Sequence, residues 1–179
     1  MRRRVLAAVA ALAVVGLAVA LPVFEPWKLF TNTVVNESLP ETVPTSTPSA
    51  ASPSPTPSAT PSPKMLAGGT FISHEHETTG TVRVVQLPDG THVLRLDDLD
   101  TSNGPDLKVW LSDAEVVEGR AGWHLFDDGA YVNLGDLKGN KGSQNYRIPA
   151  DVDLADFGSV SIWCDRFNVS FGAAVLEAA

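Results

Sequence analysis

Short runs of alternating apolar and polar residues recur through the second half of the chain, with turn-forming residues between them. A period of two is typical of β-strands that bury one face. The first two runs flank Pro-Asp-Gly (88–90), a strong turn signal, and therefore predict a hairpin. The runs lie at residues 81–87, 91–98, 106–112, 131–149 and 159–171. The pattern predicts an all-β domain over residues 66–179, an antiparallel β-sandwich of seven to nine strands.

The phase of the alternation also assigns individual residues to faces of the predicted sheets. The run DLKVWLS (106–112) places its three aliphatic residues on one face and Trp110 on the other. The last run places Cys164 on the same face as Val160 and Ile162. The large aromatic residues are candidates for core packing or for a ligand platform: Trp110, Trp123, Tyr131 and Trp163.

A long apolar run fills the N-terminus. Three arginines at 2–4 precede residues 5–24, which carry no charge and as a helix would span about 30 Å, the thickness of the hydrocarbon core of a bilayer. This predicts a cytoplasmic tail at residues 1–4, a single-pass membrane anchor at 5–24 and a juxtamembrane segment at 25–39, with the C-terminal domain extracytoplasmic. The alternative is a signal peptide cleaved after Ala-Val-Ala (18–20), which would secrete the domain.

Residues 40–65 have a different composition. Of the 25 residues at 40–64, 8 are Pro and 11 are Ser or Thr, which leaves too little apolar surface for a core. We expect a disordered linker, extended by about 3.1 Å per residue, that holds the domain away from the membrane.

The charge balance excludes one class of partner. Residues 66–179 hold 8 basic and 18 acidic side chains. Nucleic-acid binding depends on Lys and Arg side chains that neutralise phosphates, so we expect no nucleic-acid partner. The sequence also lacks the P-loop, H-E-x-x-H and G-x-S-x-G fingerprints. This disfavours an ordinary kinase or hydrolase and leaves open whether the protein is an enzyme.

Cys164 is the one cysteine of the chain, so it cannot form an intramolecular disulfide. Its phase with Val160 and Ile162 favours a buried, small apolar residue. A reactive thiol would need exposure and a cationic neighbour, and the charges of Asp165 and Arg166 nearly cancel beside it. The residues alone leave both interpretations open.

His74 and His76 are two residues apart. In a strand both imidazoles would lie on one face, which could begin a Zn or Cu site. Two ligands do not complete such a site, and solvent-exposed histidines are the alternative.

Four blocks of the second half resemble, in the right order, the DM-thirteen domain: GGTFISHEHETTGTVRV (68–84), LRLDDLDTSNGPDLKVWLS (94–112), LGDLKGNKGSQNYRIP (134–149) and SVSIWCDRFNVSFGAAVL (159–176). This small module accompanies DOMON domains in Skeletor- and Knickkopf-type proteins and stands alone in many bacterial membrane proteins. The N-terminal anchor and the Pro/Ser-rich segment are similar to those of the bacterial membrane-anchored members.

The resemblance implies a β-sandwich with an electron-transfer role centred on the family's cysteine, which matches Cys164. It also places His76 in a block where members tend to have a histidine. A lone thiol cannot cycle through an internal disulfide. It can form a sulfenate, a mixed disulfide with an extracytoplasmic redox partner, or a bond to a metal or haem iron. The cofactor therefore stays unknown, with a noncovalent haem or a metal ion as hypotheses.

The first functional hypothesis is thus a membrane-anchored, extracytoplasmic redox accessory that uses Cys164. The alternatives are a non-enzymatic binding module with Cys164 in its core, and a metal-binding module that uses His74 and His76.

Overall fold

The computed structural model describes residues 2–40 and 62–179. One α-helix, α1 (Arg2–Phe24), is followed by a short 3₁₀ helix at Pro26–Phe30. Two further 3₁₀ turns lie at Gly119–Gly122 and Leu154–Asp156. The strands of the described residues are β1 (Val34–Asn36), β2 (Lys64–Thr70), β3 (Ile72–Ser73), β4 (Thr79–Gln86), β5 (His92–Asp100), β6 (Leu107–Ser112), β7 (Tyr131–Asp136), β8 (Lys141–Arg147), β9 (Ser159–Cys164), β10 (Val169–Val175) and β11 (Glu177–Ala178).

The strands form two sheets, which confirms the predicted all-β sandwich. The six-stranded sheet has the order β1-β8-β5-β4-β2-β11, and the five-stranded sheet has the order β3-β10-β9-β6-β7. Neighbouring strands are antiparallel except β1 and β8, which are parallel. The described residues form eleven strands rather than seven to nine, because β1, β3 and β11 are too short to show a period in the sequence.

The core lies between the sheets and follows the predicted phase. Strand β6 contributes its three aliphatic residues, and β9 contributes Val160, Ile162 and Cys164. Val82, Val84, Leu94 and Leu96 face them from the six-stranded sheet. Burial of alternate residues from two sheets is what stabilises a sandwich of this kind.

The outer face of the five-stranded sheet is also buried, so every residue of β9 is buried. Residues 113–130 cross this face and insert Phe126 beside Trp110 and Trp163. The serines beneath this cover are hydrogen-bonded: Ser159 Oγ donates to the carbonyl oxygens of Ser112 and Ala114. Small hydroxyl side chains let the covering segment approach closely without leaving unpaired polar groups.

Strand β1 adds a segment from the N-terminal region to the sandwich. Its approach is fixed by Thr33 N, which donates to Asn140 Oδ1 at 2.7 Å, and by Lys141 N, which donates to Thr33 O at 3.2 Å. Gly142, at φ 95°, lies directly against the Val35 carbonyl, and a side chain there would collide with it. The sheet therefore uses a glycine to admit β1.

The segment after β1 is bonded to the same sheet. Lys138 Nζ contacts both carboxylate oxygens of Glu37 at 2.8 and 2.9 Å. Arg95 donates to Glu37 O, and Asn145 Nδ2 donates to Ser38 O. The end of the predicted juxtamembrane segment 25–39 is thus hydrogen-bonded to the six-stranded sheet.

Strands of the sandwich lie on both sides of the segment predicted as a linker, residues 40–65. Residues 41–61 lie outside the described residues, while Lys64 and Met65 begin β2. Because β1 precedes the linker and β2 follows it, this segment joins two strands of one sheet. One strand of the sandwich, β1, therefore lies on the same side of this segment as the helix.

Candidate functional site: the Cys164 end of the sandwich

Cys164 is the last residue of β9 and lies in the core between the sheets. It pairs with Leu107 of β6 and Val169 of β10. Its side chain is 0% exposed. The burial expected from its phase is confirmed, and in this conformation the thiol does not meet solvent.

A short turn follows Cys164 at the end of β9. It consists of residues 165–168, called the Phe167 turn below, and is bonded to the residue before β6. Phe167 N donates to Cys164 O at 3.2 Å, and Asp165 N donates to Asp106 O at 3.0 Å. Asn168 adopts φ 49°, in the left-handed region where Asn is among the better tolerated residues. The turn is also held by the segment that crosses the outer face, because His124 Nδ1 lies 2.6 Å from Asn168 O.

The electrostatic setting keeps the thiol protonated. Burial raises the pKa of Cys164, and the nearby Asp106 carboxylate adds to that rise. Backbone hydrogen bonds from Phe167, Arg166 and Asp106 lower the pKa and offset only part of the effect. A nucleophilic thiolate needs a cationic setting and exposure, so the buried Cys164 thiol is unreactive in this conformation.

His74 is buried on the outer side of β10. Its Nδ1 lies 2.8 Å from Ser170 Oγ, and Ser161 Oγ donates to the same hydroxyl at 2.9 Å. Nε2 is buried and makes no hydrogen bond of good geometry within the described residues, although the Val117 carbonyl lies close. Burial lowers the pKa of His74, and the Val117 carbonyl offsets part of this change. His74 is therefore a neutral, buried group at neutral pH.

His76 lies on the other side of the same strand. Its ring contacts the core residue Phe171, with ring centroids 3.9 Å apart. Burial lowers the pKa of His76, while the Glu75 carboxylate, 3.9 Å away, raises it. Strand β3 ends at Ser73, so the strand geometry that would align His74 and His76 on one face is absent.

A metal ion needs several ligand side chains that converge on one point, and a haem needs a cavity for the porphyrin beside its axial ligand. Within residues 2–40 and 62–179, no group of three or more His, Cys, Asp or Glu side chains could hold a metal ion. Cys164 is enclosed by apolar neighbours on its own and adjacent strands, so a porphyrin cannot reach its sulfur in this conformation. The residues present do not fit a noncovalent haem at Cys164.

An aromatic column lies beside the Phe167 turn. Tyr131 stacks on Trp110 with centroids 3.9 Å apart, and Trp110 stacks on Trp163 at 4.9 Å. Three of the four aromatic residues singled out in the sequence thus come together. Trp123 instead packs against the core, with Arg120 5.3 Å from the centre of its ring.

A pocket of about 490 Å³ opens at this column. Its polar lining was not predicted from the sequence, because it comes from loops far apart in the chain: Asp106, Asp127, Asp165, Arg166 and Asn168. Burial raises the pKa of Asp165, repulsion from Asp106 raises it further, and Lys108 opposes both. The volume lies within the range of small-ligand pockets, about 300–1,000 Å³.

Comparison with known proteins gives one match. A family model described as "Electron transfer DM13" matches residues 70–176, more than half of the chain and all of the strands from β4 to β10. Comparison with the curated proteins and with the solved structures found no match. The matched region contains Cys164 and the Phe167 turn, so the resemblance seen in the sequence is confirmed: the chain belongs to the DM13 family of electron-transfer domains.

Proposed function

We propose that the protein is a membrane-anchored, extracytoplasmic redox module in which Cys164 is the reacting residue. The match to the electron-transfer family over residues 70–176 carries this proposal, because the matched region includes the one thiol of the chain. We infer that the site opens at the short turn that follows Cys164, residues 165–168.

The anchor rests on α1. This is the one helix among the described residues that is long and apolar enough to cross a membrane, and it lies near the N-terminus. Its 23 residues would span about 35 Å at 1.5 Å per residue. The arginines at 2–4 favour a cytoplasmic N-terminus and hence an extracytoplasmic sandwich. Cleavage after residues 18–20 would give a secreted form of the same domain.

The chemistry open to Cys164 requires a second thiol from elsewhere. In the proposed step the Cys164 thiol loses its proton to solvent, and the thiolate attacks a disulfide of an extracytoplasmic redox protein. One sulfur–sulfur bond forms to Cys164, the partner's own bond breaks, and the second partner sulfur leaves as a thiolate. The Phe167 turn must open first, since the thiol is enclosed in the closed conformation.

A mass-spectrometric experiment tests this proposal. The full chain in mild detergent is incubated with glutathione disulfide, which stands in for the partner, and Cys164→Ala serves as the control. A glutathione adduct on folded wild-type protein, with none on the variant, supports the redox role. An adduct that forms only after unfolding in denaturant refutes it.

A second candidate function is a non-enzymatic binding module. The complete burial of Cys164 among apolar residues favours it, as does the pocket lined by aromatic and carboxylate side chains. The metal-binding alternative has less support, because His74 and His76 contact opposite faces of β10. Elemental analysis of the purified protein and of the double variant His74→Gln, His76→Gln tests it: one equivalent of metal in the wild type that is lost in the variant supports it, and metal that persists in the variant refutes it.

A further inference from the structure

Aromatic side chains with large exposed surfaces lie at the end of the candidate membrane helix and in the short helix that follows it. Phe24, the last residue of α1, is 50% exposed, and Trp27 and Phe30 in the following 3₁₀ helix are 48% and 88% exposed. On the sandwich, Phe167 is 47% exposed. Trp is enriched where a membrane meets water, and Phe side chains contribute apolar surface to segments that lie in that interface.

One contact joins the two parts of the chain. The ring of Phe24 stacks on the ring of Phe167, with centroids 6.0 Å apart and planes 11° from parallel. Phe167 belongs to the turn that directly follows Cys164. This turn therefore lies against the residue that ends the candidate membrane helix.

The topology places the same end of the sandwich near the helix independently of that contact. Val34 begins β1 beside Lys141, which pairs with Asp100 at the end of β5. Asp100 leads into the loop that reaches β6, whose first residue pairs with Cys164. Nine residues lie between Phe24 and Val34, so the ten steps from one Cα to the next reach at most about 35 Å, and the 3₁₀ helix shortens this distance.

The opposite end of the sandwich is far from the helix. Strand β5 has nine residues, so the two ends lie about 30 Å apart. Residues 149–152 lie at this far end, because Ile148 N donates to His92 O at the start of β5. Asp151 is exposed there and Val175, 48% exposed, pairs with Ser159 at the same end.

We propose that the Cys164 end of the sandwich docks on the bilayer into which α1 inserts, with Phe167 in the lipid interface. The proposal rests on the membrane anchor proposed above. The exposed aromatic surface contacts a zwitterionic lipid interface, because the Asp106 and Asp165 carboxylates at this end would be repelled by anionic headgroups. The redox partner of Cys164 would then be held at the membrane rather than met in bulk solution.

Lipid-borne quenching tests the docking in the full-length chain. Arg166→Cys and Asp151→Cys are each labelled with a fluorophore and reconstituted in phosphatidylcholine vesicles that carry a nitroxide on a fraction of their headgroups. Wild-type protein treated in parallel measures any label taken up by Cys164. Flotation of the vesicles measures membrane insertion separately.

We expect insertion, strong quenching at position 166 and little at position 151, which lies about 30 Å farther from the surface. Adding Phe167→Ser to Arg166→Cys should reduce the quenching, whereas adding Val175→Ser, a matched loss of exposed apolar surface, should not. Replacing part of the lipid by phosphatidylglycerol should weaken the quenching, and salt should restore it.

Three results overturn the proposal. Equal quenching at 166 and 151 in inserted protein removes the docking and leaves the anchor intact. If quenching at position 166 is unchanged by Phe167→Ser as well as by Val175→Ser, Phe167 has no part in the docking. A chain that fails to float with the vesicles removes the anchor and the docking together. The glutathione experiment on Cys164 is independent of all three.

Discussion

Replacement of Gly142 by alanine measures how firmly β1 is held. Gly142 has φ 95°, and an alanine Cβ there would collide with the Val35 carbonyl and crowd Asn36 Oδ1. The positive φ alone costs about 1–2 kcal/mol for an alanine. Displacement of β1 would also break several hydrogen bonds to strand β8 and its neighbours, each contributing about 0.5–1.5 kcal/mol.

Gly90 is the matched control. It has φ 84°, but an added Cβ would meet nothing within 4 Å. Gly90→Ala should therefore lower the free energy of unfolding by the backbone cost alone, about 1–2 kcal/mol. Gly142→Ala should cost about 2–4 kcal/mol more, from the lost pairing of β1.

The assay is guanidinium unfolding of the full chain in mild detergent, followed by tryptophan fluorescence. The free energies of unfolding of both variants and of the wild type are compared with one shared m-value, the slope of the free energy against denaturant concentration. A chain that begins at residue 40 provides the decisive comparison, because it has no β1 to displace. In that chain the two substitutions should cost the same. Equal costs already in the full chain would refute the docking of β1.

Three further predictions concern the sandwich itself. Burial lowers the pKa of His74, so as the pH falls below about 6.5 this histidine is protonated in the unfolded chain before it is protonated in the folded one. The free energy of unfolding should therefore decrease between pH 7.5 and 5, and His74→Gln should make that decrease smaller in unfolding curves measured across this range. Asp97→Asn removes the carboxylate that accepts from Arg83 Nε at 2.7 Å and Arg95 Nε at 2.6 Å and should lower the free energy of unfolding by about 2 kcal/mol. Tyr131→Ala removes the ring stacked on Trp110 and should lower the thermal midpoint through a loss of about 1 kcal/mol.

Each of these changes has an internal control. For His74→Gln it is the measurement at pH 7.5, where the variant loses the hydrogen bond to Ser170 but the neutral ring of His74 contributes no pH dependence. Asp100→Asn alters the ion pair with Lys141, in which the Asp100 side chain is 57% exposed. Exposed ion pairs contribute little to the free energy of unfolding. Tyr131→Phe keeps the stacked ring. A control that matches its test variant would contradict the corresponding reasoning.

Alternation in the sequence predicted most of the sandwich because each long strand buries one face against the other sheet. The run at 81–87 became β4, and the phase of the last run placed Cys164 in the core. Strand β1 has three residues and no period, and its pairing depends on residues more than 100 positions away. No local pattern could have revealed it.

The candidate site was predicted in part. The sequence named Cys164, and the family match includes it, but the raised pKa of its thiol comes from burial between the sheets and from the nearby Asp106 carboxylate. The aromatic residues were recognised as a group, whereas the burial of Trp110 and Trp163 depends on the segment that crosses the outer face. Alternation alone cannot show that a second layer covers that face.

The position of β1 before the Pro/Ser-rich segment also changes what proteolysis would do. Cleavage in a stalk usually sheds an ectodomain from its anchor. Here a cut between residues 40 and 62 would leave α1 attached to β1, and β1 would still be hydrogen-bonded to β8. The two fragments would behave as a self-complementing split protein, released from the membrane only as fast as a single edge strand dissociates.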